Sequence, residues 1–322
     1  MMKIRNVALV AYDGFQLLDI TGPAVVFAGA SRMLARGGYA VDVLSPNGGL
    51  VASDSGVRLE TRALAHYRAS SIDTLLVAGA EGPSLREVIA LPSVRRTLPK
   101  LAARSRRFGS VCSGTFVLAA LDLIGGRKVA THWEACATLA ARYPDLDVDP
   151  AALYVVDGCI WTSAGVTTGI DMALALVEVD LGAATANLIA RHFVLYARRP
   201  GYQSQFSPLL QAQTAAEAPF AGLIDWMQGH LDQPLDGPSH ARRAGLTERS
   251  FYRKFTDATG KTPAHFVEGL RLDAARTLLA QGLPLKAIAG QVGLTSSARL
   301  GAAFERRFGM APSLFREMHR AA

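Results

Sequence analysis

Two different periodicities divide the chain. Up to about residue 200, short β-branched and aliphatic runs alternate with longer stretches in which apolar positions recur every three or four residues. The runs at 7–12, 40–45, 74–78, 108–112 and 154–156 each end near Gly, Asp, Asn or Pro and predict strands. Between them, 24–36, 94–104, 114–123, 133–142 and 171–180 carry the helical period. Strands alternating with helices make a parallel sheet covered on both faces, so 1–200 predicts a doubly wound, flavodoxin-like α/β domain. A polar stretch with Pro, Gly and several Gln marks 201–218 as a linker. From 219 to 322 no strand pattern returns, and an all-α domain is expected.

That helical tail repeats itself. Gly245-Leu246-Thr247 returns 48 residues later as Gly293-Leu294-Thr295, and Phe255, Gly260, Pro263 and Phe266 return 49 later as Phe304, Gly309, Pro312 and Phe315. Each copy has a short apolar helix (239–244; 285–292), a Gly that permits a tight turn, a Thr suited to N-capping, and a second helix (248–258; 296–308). This is the layout of a double helix-turn-helix, with 264–281 as the helix between the units. Arg249, Ser250, Tyr252, Arg253 and Lys254 on the first recognition helix, and Ser296, Ser297, Arg299 and Arg306 on the second, are the expected contacts to double-stranded DNA. The bland alternative is a small helical bundle with solvated basic residues; duplication at one layout favours DNA.

Charge agrees with that division. Of the net +7, the residues from Pro219 onward contribute 14 Lys+Arg against 9 Asp+Glu, so the tail is the basic part. No apolar run reaches the ~18 residues of a membrane span, and Asp13 and Asp19 interrupt any signal-peptide pattern, which points to a cytoplasmic protein. Cys112, Cys136 and Cys159 have no paired metal-ligand spacing, so neither metal nor cofactor is expected and the thiols should be reduced. Cys136 and Cys159 read as small buried hydrophobes.

Cys112 is different. Phe108-Gly109-Ser110-Val111-Cys112-Ser113-Gly114 reads as strand, sharp turn and helix, an elbow that would expose a thiol above the sheet near a helix N-terminus, where its pKa should fall. Ser113 and Gly114 leave room for a ligand, and Asp19 and His132 are the other pocket candidates. Each has a structural alternative. Cys112 could be buried filler, Asp19 a helix N-cap, His132 a cap or an internal hydrogen-bonding group, and Asp171 a cap.

The tail resembles an AraC-type DNA-binding domain over essentially all of 219–320: Arg271-Leu272, Ala275 and Leu278-Leu279 in the linking helix, then Leu285, Ile288-Ala289, Val292-Gly293, Phe304, Arg307-Phe308-Gly309 and Pro312. It departs from the family at Gly301 and Ala302, where the second recognition helix usually carries Arg, so the resemblance assigns more of the specificity to the first unit and Arg299. Residues 5–198 resemble the glutamine-amidotransferase-like superfamily of Pfp-type intracellular proteases and isonitrile hydratases, with Cys112 as the elbow and Asp19 as the acidic partner. Proteolytic members follow the cysteine with His; this chain has Ser113. The fusion, with Ser163-Ala164-Gly165-Val166-Thr167, Gly169-Ile170-Asp171 and Arg198-Arg199-Pro200-Gly201, looks like the GlxA family of regulators. The resemblance implies a non-enzymatic transcription regulator, a homodimer, whose α/β domain binds a small, amine-bearing effector. The alternative is a cysteine-dependent hydrolase or isonitrile-hydratase-like enzyme using Cys112, Asp19 and His132 with a DNA-binding tail.

Overall fold

The computed structural model describes residues 4–34, 37–67, 72–195, 198–203, 205, 220–259, 261–308 and 310–320. They form two compact units, Met1–Gln205 and Phe206–Ala322.

The first unit runs β1 (Ile4–Val10), α1 (Leu17–Met33), β2 (Gly38–Ser45), β3 (Gly49–Ala52), β4 (Arg58–Ala63), β5 (Ile72–Val77), α2 (Gly82–Ala90), α3 (Pro92–Ala103) and β6 (Ser105–Val111). It continues with α4 (Thr115–Ala120), β7 (Lys128–Val129), α5 (Trp133–Arg142), β8 (Asp147–Val148), β9 (Tyr154–Asp157), β10 (Ile160–Ser163), α6 (Thr168–Leu181) and α7 (Ala183–His192). Eight strands make one sheet in the order β3-β4-β2-β1-β5-β6-β10-β9, parallel except for the outermost pairs, while β7 and β8 form a separate ribbon. The chain reverses direction across the sheet between β1 and β5, the switch point at which α/β proteins open a crevice beyond the strand carboxyl ends.

β1 shows why its sequence reads as an unbroken apolar run. Val7 and Leu9 enter one core with α1 and α6, while Ala8 and Val10 enter the other with α3 and α4, so both faces of the strand are buried. The hairpin β3–β4, helices α2 and α7, β10 and the β7–β8 ribbon lie outside the expected elements. α1 begins at Leu17 rather than at 24, because Pro23 sits inside the helix instead of opening it. Its small residues admit close neighbours: a Cβ at Gly22 would lie 3.0 Å from Ile170, and one at Gly29 3.3 Å from Phe193.

The segment expected to begin the linker is attached to the first unit. Leu153 N–H donates to Gly201 O (2.7 Å), and Gln205 N–H donates to Ala151 O (2.8 Å). The remainder of 201–218, at 204 and 206–218, lies outside the described residues.

The described residues of the second unit form helices and their connections: α8 (Ala221–Gly229), α9 (Gly237–Arg243), α10 (Glu248–Thr259), α11 (Pro263–Ala280), α12 (Leu285–Gln291), α13 (Ser297–Phe308) and α14 (Pro312–Arg320). α11 serves two cores, giving Phe266, Val267 and Leu270 to one with Phe251 and Phe255. Its Leu272, Ala275 and Leu279 are buried in the half that holds Ile288, Leu300 and Phe304. The turns are built alike. Gly245 and Gly293 adopt φ of 66° and 67°, and the next residue closes the preceding helix by donating to Ala241 O or Ala289 O, each at 2.9 Å.

The caps differ from expectation in the second copy. Thr247 Oγ1 accepts Ser250 N–H (3.3 Å), but in the repeat Ser296 Oγ, not Thr295, accepts Arg299 N–H (3.1 Å). Thr247 and Ser296 are 49 apart, the spacing of the Phe anchors, whereas the glycines are 48 apart. The one-residue difference between the copies is therefore taken up in the turn, and the recognition helices superpose residue for residue from the cap onward.

Phe255 is fully buried, with Phe251, Phe220 and Phe266 rings centred 5.2–5.4 Å away. Phe255→Ala should cost the helical unit about 3–5 kcal/mol. Denaturant unfolding of the full chain should show the helical transition shifted and that of the α/β unit unmoved; an unchanged helical transition contradicts this packing.

Candidate functional site

β6 delivers the chain to Cys112, whose φ of 57° puts a non-glycine residue in the left-handed region. Such a conformation costs about 1–3 kcal/mol and persists only where neighbours enforce it. The neighbours are Gly79, after β5, and Gly165, after β10. A Cβ at Gly79 would lie 2.7 Å from Cys112 Cβ, and one at Gly165 2.5 Å from Cys112 Cα, so both positions need glycine for the elbow to fit between them. Ser113 Oγ fastens the turn by donating to Ala80 O (2.7 Å) and accepting Ala80 N–H (3.0 Å), and Thr131 Oγ1 donates to Cys112 O (3.0 Å).

Asp19 lies beneath the elbow, in the first turn of α1. It is not the N-cap: Gln16 caps the helix, its Oε1 accepting Leu18 N–H (3.2 Å). The Asp19 carboxylate instead accepts Gly79 N–H (2.9 Å) and Val166 N–H (2.8 Å), joining the loops that bracket Cys112. At 1% exposure, burial pushes its carboxyl up to about 7 in spite of these two donors. Burial likewise pushes the Cys112 thiol up to about 12, with the Asp19 charge adding to the effect. The expected lowering by a helix N-terminus does not occur. Desolvation and the Asp19 charge prevail over the hydrogen bonds from Ser113, which act in the opposite direction.

A cleft of about 470 Å³ opens over the elbow, lined by Cys112, Ser113 and His132 among the expected residues. Asp19 and Gly114 do not line it. Asp19 is a buried tie, and Gly114 is a close-packing position where a Cβ would crowd the backbone oxygens of Val77 and Ala78. His132 is the residue preceding α5; its ring, 27% exposed, has Nδ1 3.7 Å from Glu134. Among the described residues no hydrogen bond joins His132 to Cys112, although both line the cleft. Asp54, Glu81, Arg86, Glu134 and Arg142 also reach the cleft; no motif marked them, because α2 and α5 bring them together only in the fold. Cys136 is buried, but Cys159 is exposed in the β9–β10 turn, contrary to expectation.

The loops behind the elbow also hold the segment that leaves the unit. Arg199 Nη2 donates to Thr167 Oγ1 (2.9 Å) and to Asp171 (2.6 Å), making Asp171 the anchor of an ion pair rather than a cap. Gln205 Nε2 donates to Thr131 O (3.1 Å) and Ala152 O (3.0 Å). Val166 and Thr131, which hold Asp19 and Cys112, therefore adjoin or contact the last residues before 206.

In the helical unit, Arg249, Tyr252, Arg253 and Lys254 are exposed along α10, and Ser250 is half-buried. On α13, Arg299 is exposed, Ser297 is half-buried and the Ser296 side chain serves as cap. Arg306 is engaged with Glu268 of α11 at 2.6 Å, a contact the sequence pattern did not indicate. Among the described residues no group of three or more His, Cys, Asp or Glu could hold a metal ion, and no helix is long and apolar enough to cross a membrane.

A cysteine elbow over a doubly wound sheet, followed in the chain by paired helix-turn-helix units, defines an α/β domain fused to a DNA-binding module. Residues 5–179 match the DJ-1/PfpI family and 240–318 a helix-turn-helix domain, and the chain belongs to the DJ-1/PfpI family. It is 31% identical over 276 residues to the HTH-type transcriptional regulator CdhR of Pseudomonas aeruginosa, covering 85% of this chain and 81% of that one. To the HTH-type transcriptional regulator GlxA of Rhizobium meliloti it is 27% identical over 315 residues, 98% and 96% of the two chains. A solved THiJ/PfpI family protein from Pseudomonas syringae shares the α/β fold, with a TM-score of 0.55 at 22% identity over 70% of this chain and 89% of that one. The relatives that match over nearly the whole chain are transcriptional regulators, and this chain is a transcriptional regulator rather than an enzyme.

Two consequences of the electrostatics are measurable. Iodoacetamide at pH 8 should label exposed Cys159 well before Cys112, whose thiol is protonated there; faster labelling of Cys112 contradicts the raised pKa. Because folding raises the Asp19 pKa from 3.8 to about 7, its stabilising contribution is complete below pH 3.8 and is lost as pH rises through 7. The α/β unit should therefore lose stability between about pH 4 and 7, less steeply in Asp19→Asn; equal slopes contradict the assignment.

Proposed function

We propose that the α/β unit binds a small amine-bearing or zwitterionic metabolite in the Cys112 cleft and that occupancy changes how the helical unit engages its operator. The observation that supports this reading is a set of shared supports behind the cleft: Val166 N–H and Thr131 Oγ1 hold Asp19 and Cys112, while Thr167 and Thr131 O also hold Arg199 and Gln205 at the exit of the unit. A ligand that moves the elbow loops must alter the anchoring of the exit segment. Carboxylates of Asp54, Glu81 and Glu134 offer counter-charge to an amine, and Arg86 and Arg142 to a carboxylate. With its thiol protonated, Cys112 contributes shape and a weak hydrogen bond rather than a nucleophile. The regulator works in the cytoplasm as a homodimer on paired operator half-sites, without cofactor. Coupling follows from different ligand affinities of two arrangements, typically about 1–3 kcal/mol.

A thermal-shift screen of amino acids and quaternary amines identifies the effector class. A compound that stabilises the full chain should change its operator affinity about 5- to 150-fold. Thr138→Trp, which places an indole in the cleft, should abolish both effects, and Cys112→Ser should retain regulation. A response that survives Thr138→Trp places sensing elsewhere. Product release by wild type, lost together with regulation in Cys112→Ser, would revive the enzymatic alternative.

A further inference from the structure

The two recognition helices can be compared position by position, because their caps and core anchors share one spacing. Thr247 corresponds to Ser296, Phe251 to Leu300 and Phe255 to Phe304, each pair separated by 49 residues and the four anchors fully buried. On that register Arg249 corresponds to Ala298, Tyr252 to Gly301, Arg253 to Ala302 and Lys254 to Ala303. These four long side chains exposed on α10 are thus each replaced on α13 by a residue with at most a methyl group. In exchange α13 gains Arg299 where α10 has Ser250.

The remaining cations of α13 are already engaged. Arg306 Nη2 lies 2.6 Å from Glu268, and Arg307 Nη2 lies 2.8 Å from Asp273, both carboxylates belonging to α11. Among the described residues, no ion pair forms at Arg249, Arg253 or Lys254 of α10, so their donors stay available. Base edges in the major groove are read by side chains long enough to reach them, whereas a smooth helix face lets the backbone approach the duplex and adds only positioning contacts.

Building on the DNA-binding function of the chain, we infer that its two helix-turn-helix units divide the work: α10 reads base sequence, through Arg249, Tyr252, Arg253 and Lys254, while α13 grips the phosphate backbone with Arg299. Each protomer then recognises one informative block of base pairs, flanked by a stretch that is covered but barely discriminated.

Selection of binding sites by the full-length chain from a randomised duplex library tests this. The expected outcome is one strongly preferred block per protomer. Two blocks of equal information one helical turn apart, about 10–10.5 base pairs, would overturn the division of labour while leaving DNA binding intact; absence of binding at low salt would remove DNA binding itself. Arg253→Ala should reduce discrimination at one position roughly 5- to 150-fold. Arg299→Ala should instead weaken all sequences alike and lower the salt slope by about one. Should Arg253→Ala lose its helical signal, Ala302→Arg gives an independent reading. It restores at the second unit the side chain that the first one has, and should create a second preferred block. A base preference lost on Arg299→Ala, or no new preference with Ala302→Arg, would count against the inference.

Discussion

The buried carboxylate of Asp19 is the constraint on which the α/β unit's functional end depends. One oxygen accepts the N–H of Gly79 and the other that of Val166, so loops leaving β5 and β10 are held to the start of α1. Cys112 is clamped between those loops, and its left-handed backbone follows from the absence of side chains at Gly79 and Gly165. The same arrangement decides the chemistry. Burial raises the pKa of both groups, and the Asp19 charge raises that of Cys112 further, which protects a protonated thiol and disfavours the thiolate a nucleophile needs.

In the helical unit the corresponding role falls to α11. It supplies apolar residues to both cores, and its Glu268 and Asp273 fix Arg306 and Arg307 of α13. Arg271 donates to Leu231 O (3.1 Å) and Gln233 O (2.7 Å), tying the segment after α8 to the same helix near the Gly293 turn. Arg276, almost fully buried, places its guanidinium 4.9 Å from the Phe308 ring centre, so a cation closes the apolar half instead of facing solvent. Spacing between the two recognition helices is therefore held by side chains along one rigid element.

The legible part of the site was its backbone chemistry. A strand, a sharp turn and small residues around Cys112 marked the elbow, and Gly-Leu-Thr repeats marked the turns of the DNA-binding units. The illegible part was electrostatic and long-range. Helix-terminus reasoning put the thiol pKa too low because burial raises it and a carboxylate 93 residues away in the chain adds to the effect. Gly114 read as room for a ligand but fills the space beneath the backbone of Val77 and Ala78, and Arg306 read as a DNA contact although Glu268, 38 residues earlier, holds it.

By itself the sequence determined the division into α/β and helical parts, the continuous burial of the central strands, the duplicated helix-turn-helix units and the position of the elbow. These follow from local periodicity and turn chemistry, which a few neighbouring residues carry. Tertiary structure alone decided that Asp19 bridges two loops, that Asp54, Glu81 and Glu134 meet in one cleft, and that Arg199 and Gln205 hang the exit segment on Thr167 and Thr131. Each of these joins residues distant in the chain, and their energies depend on burial and hydrogen-bond geometry that exist only once the sheet has closed around them.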